Sequence, residues 1–323
     1  MKSLTNIVLL NSLLLVILAG CGNKENKSPY AEILSQAPFA ALSDSIRNDP
    51  GNDELYSRRA VLLNEKNFPE PALADFRAAW NIRKSEKYAL GISTLLLESN
   101  ADSAIAFLEN NVPQLPESIL LRLSLARAYD EKGKSAEALA ICNSVLNENP
   151  QQVDILKLQA GLLDKMGKKQ EAMQVLQNAY AITPYDIELN YILALKLAES
   201  GNSRVLKLCD SLIKVDTLGL YAEPYYYKGI YFSAINEKEK AIALFDQAQK
   251  RDIHFMEAYI EKGALLFEMK KIPEARNVFM LALNVSPDYP YTYYWLGKCD
   301  EAEGKNADDK LNFEKAKSLE RVK

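Results

Sequence analysis

The sequence predicts an all-α fold of stacked helix hairpins, and three observations carry that reading. One pattern recurs at a fixed interval: Tyr225, Gly229, Phe232, Ala241, Phe245 and Ala248 return, each 34 residues on, as Tyr259, Gly263, Leu266, Ala275, Phe279 and Ala282. Small residues hold two set places in it, Gly229 or Gly263 midway along a first helix and Ala241 or Ala275 early in a second. Bulk at either place would hold two crossing helices apart, whereas Gly and Ala let them close. Glycine and proline punctuate the chain at the same period, with Gly133 and Gly167 after first helices and Pro150 and Pro184 after second ones. A left-handed glycine closes a helix without strain, and proline stops one. No hairpin can bury its apolar stripe alone, so copies must stack and share a core.

Taken in order, the chain begins with an address. Lys2 precedes an apolar run from Ile7 to Ala19, interrupted by Asn11 and Ser12. The run is too short and broken for a spanning helix but suits the apolar core of a secretory signal. It ends in Leu18-Ala19-Gly20-Cys21, which resembles the lipobox of bacterial lipoproteins. That resemblance implies a signal peptide over residues 1–20, cleavage before Cys21, and acyl chains on the Cys21 sulfur and the new amino terminus. Two or three such chains anchor a protein stably, where one is marginal. Residues 21–29 then read as the lipidated cysteine and a flexible polar tether with Lys24, Glu25 and Lys27. Gly22 rather than Asp after the cysteine fits outer-membrane sorting, and Lys24-Glu25 partly matches the surface-export signal of Bacteroidota lipoproteins. The expected location is the cell envelope, lipid-anchored at the outer membrane, with the periplasmic and surface leaflets both open.

Residues 30–323 are filled by the repeating pattern. A lone helix over 38–48, ended by Asp49-Pro50, reads as half a repeat that covers the open face of the first pair. Repeat one shows Tyr56, Ala60, Leu63, Ala72, Phe76 and Ala79, with Pro71 where its second helix starts and a missing N–H costs little. Repeat two has Tyr88, Leu95, Ala104 and Leu108. Its Ala104 comes 32 residues after Ala72, and Pro113 should end the second helix early. Repeats three and four are regular, with Ala126, Tyr129, Ala138 and Val145, then Ala160, Leu163, Ala172 and Ala179. Repeat five keeps Ala194, Leu197 and Gly201 but has Val205 in place of Ala. The connection at 217–221 runs two residues long, either as a seam between two halves or as a longer turn. Repeats six and seven define the pattern. Repeat eight has Tyr293, Leu296, Gly297, Gly304, Phe313 and Ala316, and its second helix is rich in Lys and Glu, as the open end of a stack requires.

An aromatic, a small residue, then Ala and Phe at this period resemble the tetratricopeptide repeat, in about eight copies. The resemblance covers nearly all of the chain after the tether. It implies a right-handed superhelical solenoid whose concave surface, lined by particular first-helix positions, binds other proteins. The scaffold serves many roles, so the function must be argued from a site.

Candidate chemistry is sparse. The first twenty residues hold one charge, Lys2, and without them 38 basic side chains face 43 acidic ones, a net charge of −5. A mildly acidic body with no basic run speaks against nucleic acid as the main partner. His254, the one histidine, falls in the turn between repeats six and seven. Cys142 and Cys209 stand where other repeats carry Phe, so they read as small core residues, as does Cys299. No C-x-x-C pair and no phosphate-cradling glycine loop is present. The expectation is a protein that is not an enzyme, with no catalytic residue, metal or cofactor.

Carried over by register, one lining position reads Ser57, Ala89, Leu123, Lys157, Tyr191, Tyr226, Ile260 and Tyr294. Neighbouring positions add Ile230, Phe267, Tyr291 and Lys298, with Arg127, Asp130, Glu131 and Asp164 nearer the middle. The partner-binding candidates are Tyr191, Tyr226, Ile230, Ile260, Phe267, Tyr291 and Tyr294, an aromatic groove for an extended or helical segment. The competing reading is that idealised repeats carry Tyr there in any case. Glu188, Glu223 and Glu257 recur at the second residue of successive repeats, either facing a basic ligand or simply favoured by the helix dipole. The expected function is a lipid-anchored envelope scaffold that docks another protein or peptide segment. The alternative is a glycan- or small-ligand-binding envelope lipoprotein with tyrosine platforms.

Overall fold

A computed structural model of the chain describes residues 29–305 and 308–320. The signal segment 1–20, Cys21 and the tether to residue 28 lie outside the described residues. Among the described residues the regular structure is eighteen α-helices and one 3-10 turn, without a strand. The fold class is all-α, built of helix hairpins of the tetratricopeptide kind, in two compact units that divide between Asn100 and Ala101.

The first unit contains α1 (Ala31–Leu34), α2 (Ala40–Asn48), α3 (Asp53–Glu65), α4 (Pro69–Ile82) and α5 (Glu86–Ser99). The lone leading helix is α2, and α1 before it was not foreseen. Helices α3 and α4 cross on Ala60, Ala72 and Ala79, all fully buried. Asn67, at φ 63°, takes the left-handed place between them that Gly takes elsewhere. Arg59 of α3 fastens the unit. Its Nε and Nη2 donate to the two oxygens of Asp75 on α4 at 2.6 and 2.7 Å, and its Nη1 donates to Ser43 Oγ on α2 at 2.9 Å. Ser43 Oγ in turn donates to the Leu34 carbonyl oxygen at 2.7 Å. Burial pushes the Asp75 carboxyl above its ordinary range despite the guanidinium across it.

The second unit opens with α6 (Ala101–Asn111), which gives way to a 3-10 turn at Val112–Gln114. This is the early stop expected at Pro113. Six hairpins follow: α7 (Ile119–Glu131) with α8 (Ser135–Glu148), α9 (Val153–Lys165) with α10 (Lys169–Ile182), and α11 (Ile187–Glu199) with α12 (Arg204–Val215). Then come α13 (Glu223–Ala234) with α14 (Lys238–Arg251), α15 (Met256–Glu268) with α16 (Ile272–Val285), and α17 (Pro290–Ala302) with α18 (Asp308–Glu320). Gly133, Gly167 and Gly201 close the first helices of their hairpins at φ 70°, 77° and 63°. Asn236 and Lys270 do so without glycine.

Packing adds to the pairing of Gly263 with Ala275. The Phe279 ring reaches the next hairpin, where it stacks on Trp295, and it also lies on the glycine: a Cβ added to Gly263 would sit 2.3 Å from the ring, and one on Gly229 would sit 2.5 Å from Phe245. The missing side chain makes room for the phenylalanine of the same hairpin. Both rings are fully buried.

Successive hairpins are tied at their first helices by Lys165–Asp130 and Lys196–Asp164, at 2.7 and 2.8 Å, while Lys132 at the end of α7 reaches Asp102 of α6 at 2.8 Å. Such solvated pairs contribute about 0–1 kcal/mol each and serve register more than stability. The long connection between α12 and α13 is pinned from both sides. Asp216 accepts from the Leu220 and Tyr221 N–H groups at 3.0 and 2.8 Å, and Arg251 donates to the Gly219 carbonyl oxygen at 2.8 Å. One buried cluster runs past it, from Leu156 through Val205 to Tyr231.

Candidate binding cavity at the last three hairpins

A 34-residue period places Tyr226, Ile260 and Tyr294 at equivalent points on α13, α15 and α17. With Tyr289, Tyr291 and Trp295, with Glu257 and Glu261 of α15, and with Phe313, Ala316, Lys317 and Glu320 of α18, they line a cavity of about 790 Å³. Core contacts hold the walls. Trp295 stacks on buried Phe279, with ring centroids 5.7 Å apart and planes 10° from parallel, and meets Phe267 at 5.6 Å. Tyr294 packs between Trp295 and Phe313, each at 5.8 Å, and Tyr226 meets Phe255 at 5.1 Å. Tyr291 and Tyr294 nevertheless stay 54% and 42% exposed, an aromatic surface that gains by being covered.

Glu257 and Glu261 stand one turn apart on α15, and among the described residues neither forms an ion pair or hydrogen bond. Burial pushes the Glu261 carboxyl above its ordinary range, and Glu268 adds to that. Burial also raises the Tyr226 phenol, with Glu261 and Glu257 contributing. The cavity is therefore aromatic in its walls and electronegative along α15.

Four of the seven residues expected to bind a partner meet here: Tyr226, Ile260, Tyr291 and Tyr294. The other three do not reach the cavity. Tyr191 lies under Tyr221 and Tyr227, with ring centroids 6.2 Å away in each case, and its hydroxyl is buried without a hydrogen-bond partner. Ile230 packs against two core clusters, and Phe267 belongs to the cluster around Trp295. Earlier in the series Ala89 and Leu123 are buried, and Ser57, also buried, lines a separate recess with Leu42 and Val61. A small or aliphatic side chain at that place can be covered completely by its neighbours, whereas Tyr cannot. Residues not foreseen are Tyr289, Trp295, Phe313 and Glu261. The i,i+3 pair Phe313 and Ala316 was legible as an apolar face on α18, but the helix reads as a polar cap because charge dominates its composition.

Among the described residues no group of three or more His, Cys, Asp or Glu side chains could hold a metal. Burial pushes the thiols of Cys142 and Cys299 up to about 11 and that of Cys209 to about 12, so none is poised as a thiolate.

Comparison with known proteins agrees with the fold. The tetratricopeptide repeat family model matches residues 95–162. The solved structure of a tetratricopeptide repeat protein from Parabacteroides merdae ATCC 43184 superposes with a TM-score of 0.55 at 18% identity, covering 83% of this chain and 93% of that one. At that identity the likeness shows the fold alone. The chain is 25% identical over 202 residues to the human protein O-mannosyl-transferase TMTC1, covering 61% of this chain and 23% of that protein. It is 24% identical over 271 residues to human anaphase-promoting complex subunit 7, covering 81% of this chain and 43% of that protein. The chain thus spans less than half the length of these relatives.

Proposed function

We propose that these tetratricopeptide hairpins form a docking scaffold for another protein, received at the cavity between α13, α15, α17 and α18. The observation that carries this reading is the exposed aromatic surface of Tyr291 and Tyr294, with Tyr294 backed by Trp295 and Phe313 and Tyr291 by Tyr289. Rigid aromatic anchors in a recess are where binding energy concentrates at protein interfaces. A relative named as a subunit of a multiprotein complex supports the same reading. No enzymatic role is proposed, because the described cysteines are buried and His254 lies exposed in a turn.

A photo-crosslinking phenylalanine analogue in place of Tyr294 tests it in intact cells. Protein adducts should form there and not at Leu281 of α16, which is 57% exposed but remote from the lining. Tyr226→Ala should cut adduct yield by about tenfold, the order expected when a hot-spot aromatic is truncated. Equal adducts from both positions would sink the proposal. A cavity of about 790 Å³ also lies within the size of small-molecule sites, which favours a glycan as the second reading. In that event the Tyr294 position would yield sugar adducts and no protein.

The scaffold is further proposed to be held in the bacterial envelope by acyl chains on Cys21, on the strength of Leu18-Ala19-Gly20-Cys21. Cys21→Ser should then move the protein from the membrane fraction to the soluble one. Persistence in membranes after a high-salt wash would refute the anchor.

A further inference from the structure

The repeats supply their own comparison for the cavity's unpaired acids. At the preceding pair of hairpins the lining position is Lys157, and its ammonium holds Asp154 at 2.9 Å and Glu188 at 2.5 Å. Glu188 is the second residue of α11, as Glu257 is of α15. The residue 31 positions before Glu188 is Lys157, and the residue 31 positions before Glu257 is Tyr226. Where α9 provides a cation from within the chain, α13 provides an aromatic ring.

Among the described residues Glu257 is consequently left without its counter-charge, and Glu261 joins it one turn along. Like charges at i,i+4 destabilise a helix, and the dipole accounts only for an acid in the first turn, so Glu261 has no local reason to be there. Of the described lining residues Lys317 is the only cation, set against Glu257, Glu261 and Glu320. Aromatic faces and carboxylates together attract a cation that also carries an apolar stem.

We infer that the cavity receives a lysine side chain of the docked protein, its ammonium between Glu257 and Glu261 and its methylene stem along Tyr226 and Tyr294. The inference rests on the docking proposal above and specifies what docks. The bound lysine takes the place that Lys157 fills two hairpins earlier, so the array uses one arrangement twice, once closed and once open.

The test uses the full chain carrying Trp80→Phe, so that Trp295 alone reports by fluorescence. The probes are two capped pentapeptides that differ only at the centre, one with lysine and one with norleucine. The lysine peptide should bind about tenfold more tightly than the norleucine peptide or better, the size expected for a partly desolvated cation–aromatic contact with carboxylate support. Glu257→Gln with Glu261→Gln should erase that preference while leaving the helical signal unchanged. Tyr226→Lys should supply the cation from inside and abolish the lysine peptide's response. Equal binding of the two peptides, no binding of either, or a preference that survives the double Gln change overturns the inference. The docking proposal is scored separately: protein adducts at Tyr294 that persist in the double Gln variant leave docking standing and remove the lysine.

Discussion

Arg59→Met should lower the stability of the unit over residues 29–100 by about 3–5 kcal/mol, the cost of leaving one member of a buried ion pair uncompensated. The Arg59 and Asp75 side chains are each 8% exposed, so no water replaces the lost guanidinium. Ser43 also loses the donor that ties α2 to α3. Urea denaturation in a Trp295→Phe background follows this unit alone, because Trp80 of α4 is then the one remaining tryptophan. Replacing both partners, Arg59→Met with Asp75→Leu, should restore most of the loss, since the pair itself only offsets its own desolvation. The pH dependence has a definite sign. The folded carboxyl of Asp75 lies above its ordinary value of 3.8, so the folded state holds the proton more tightly than the unfolded chain. Ionisation therefore opposes folding, and its cost enters as the pH rises from 3.8 through the raised folded value. Without Arg59 that cost grows, so the deficit of Arg59→Met should shrink on acidification. A deficit below about 1 kcal/mol, or one that grows in acid, would show that the pair does not organise this unit.

Gly263→Ala should cost about 1–3 kcal/mol by overpacking, although the same change in an ordinary helix interior is favourable. The new methyl would meet the Phe279 ring at 2.3 Å. That ring cannot yield, because it is fully buried and stacked on Trp295. Gly161 of α9 is the control. A Cβ there meets nothing within 4 Å, so Gly161→Ala should gain about 0.5–1 kcal/mol from reduced backbone entropy in the unfolded chain. Thermal melts of the two variants should move in opposite directions. A rise for both would mean that Gly263 and Phe279 do not interlock. Loss at Gly263 should also loosen Trp295, which connects stability here with the shape of the cavity wall.

The elements were legible to the extent that local chemistry dictates them. Pro113 ends α6 because proline cannot supply the N–H that the helix needs, whatever surrounds it. Gly133 and Gly167 close α7 and α9 because a left-handed turn follows from the missing Cβ. The short α1 carries no residue buried in the core, which leaves its sequence without a periodic signal. Within the binding site, Tyr226, Ile260 and Tyr294 were legible because the repeat period itself aligns them. Tyr191 sits in the same register, yet the longer turn at 216–222 lays Tyr221 over it. An insertion of two residues changes what covers a side chain without changing the pattern that contains it.

What the sequence by itself determined is the hairpin, its period and its interior: small residues at the crossings, an aromatic at a fixed place, and a turn residue at each end. Those follow from contacts between residues close along the chain, which a period of 34 repeats faithfully. What only the tertiary structure decided is where the stack stays open. The cavity exists because α18, polar by composition, turns Phe313 toward Tyr294, beside Glu257 and Glu261, which have no counter-charge among the described residues. Neither fact lies in any one repeat. Both depend on which residue of one hairpin meets which residue of the next, and a side chain's exposure is set by its neighbours in space.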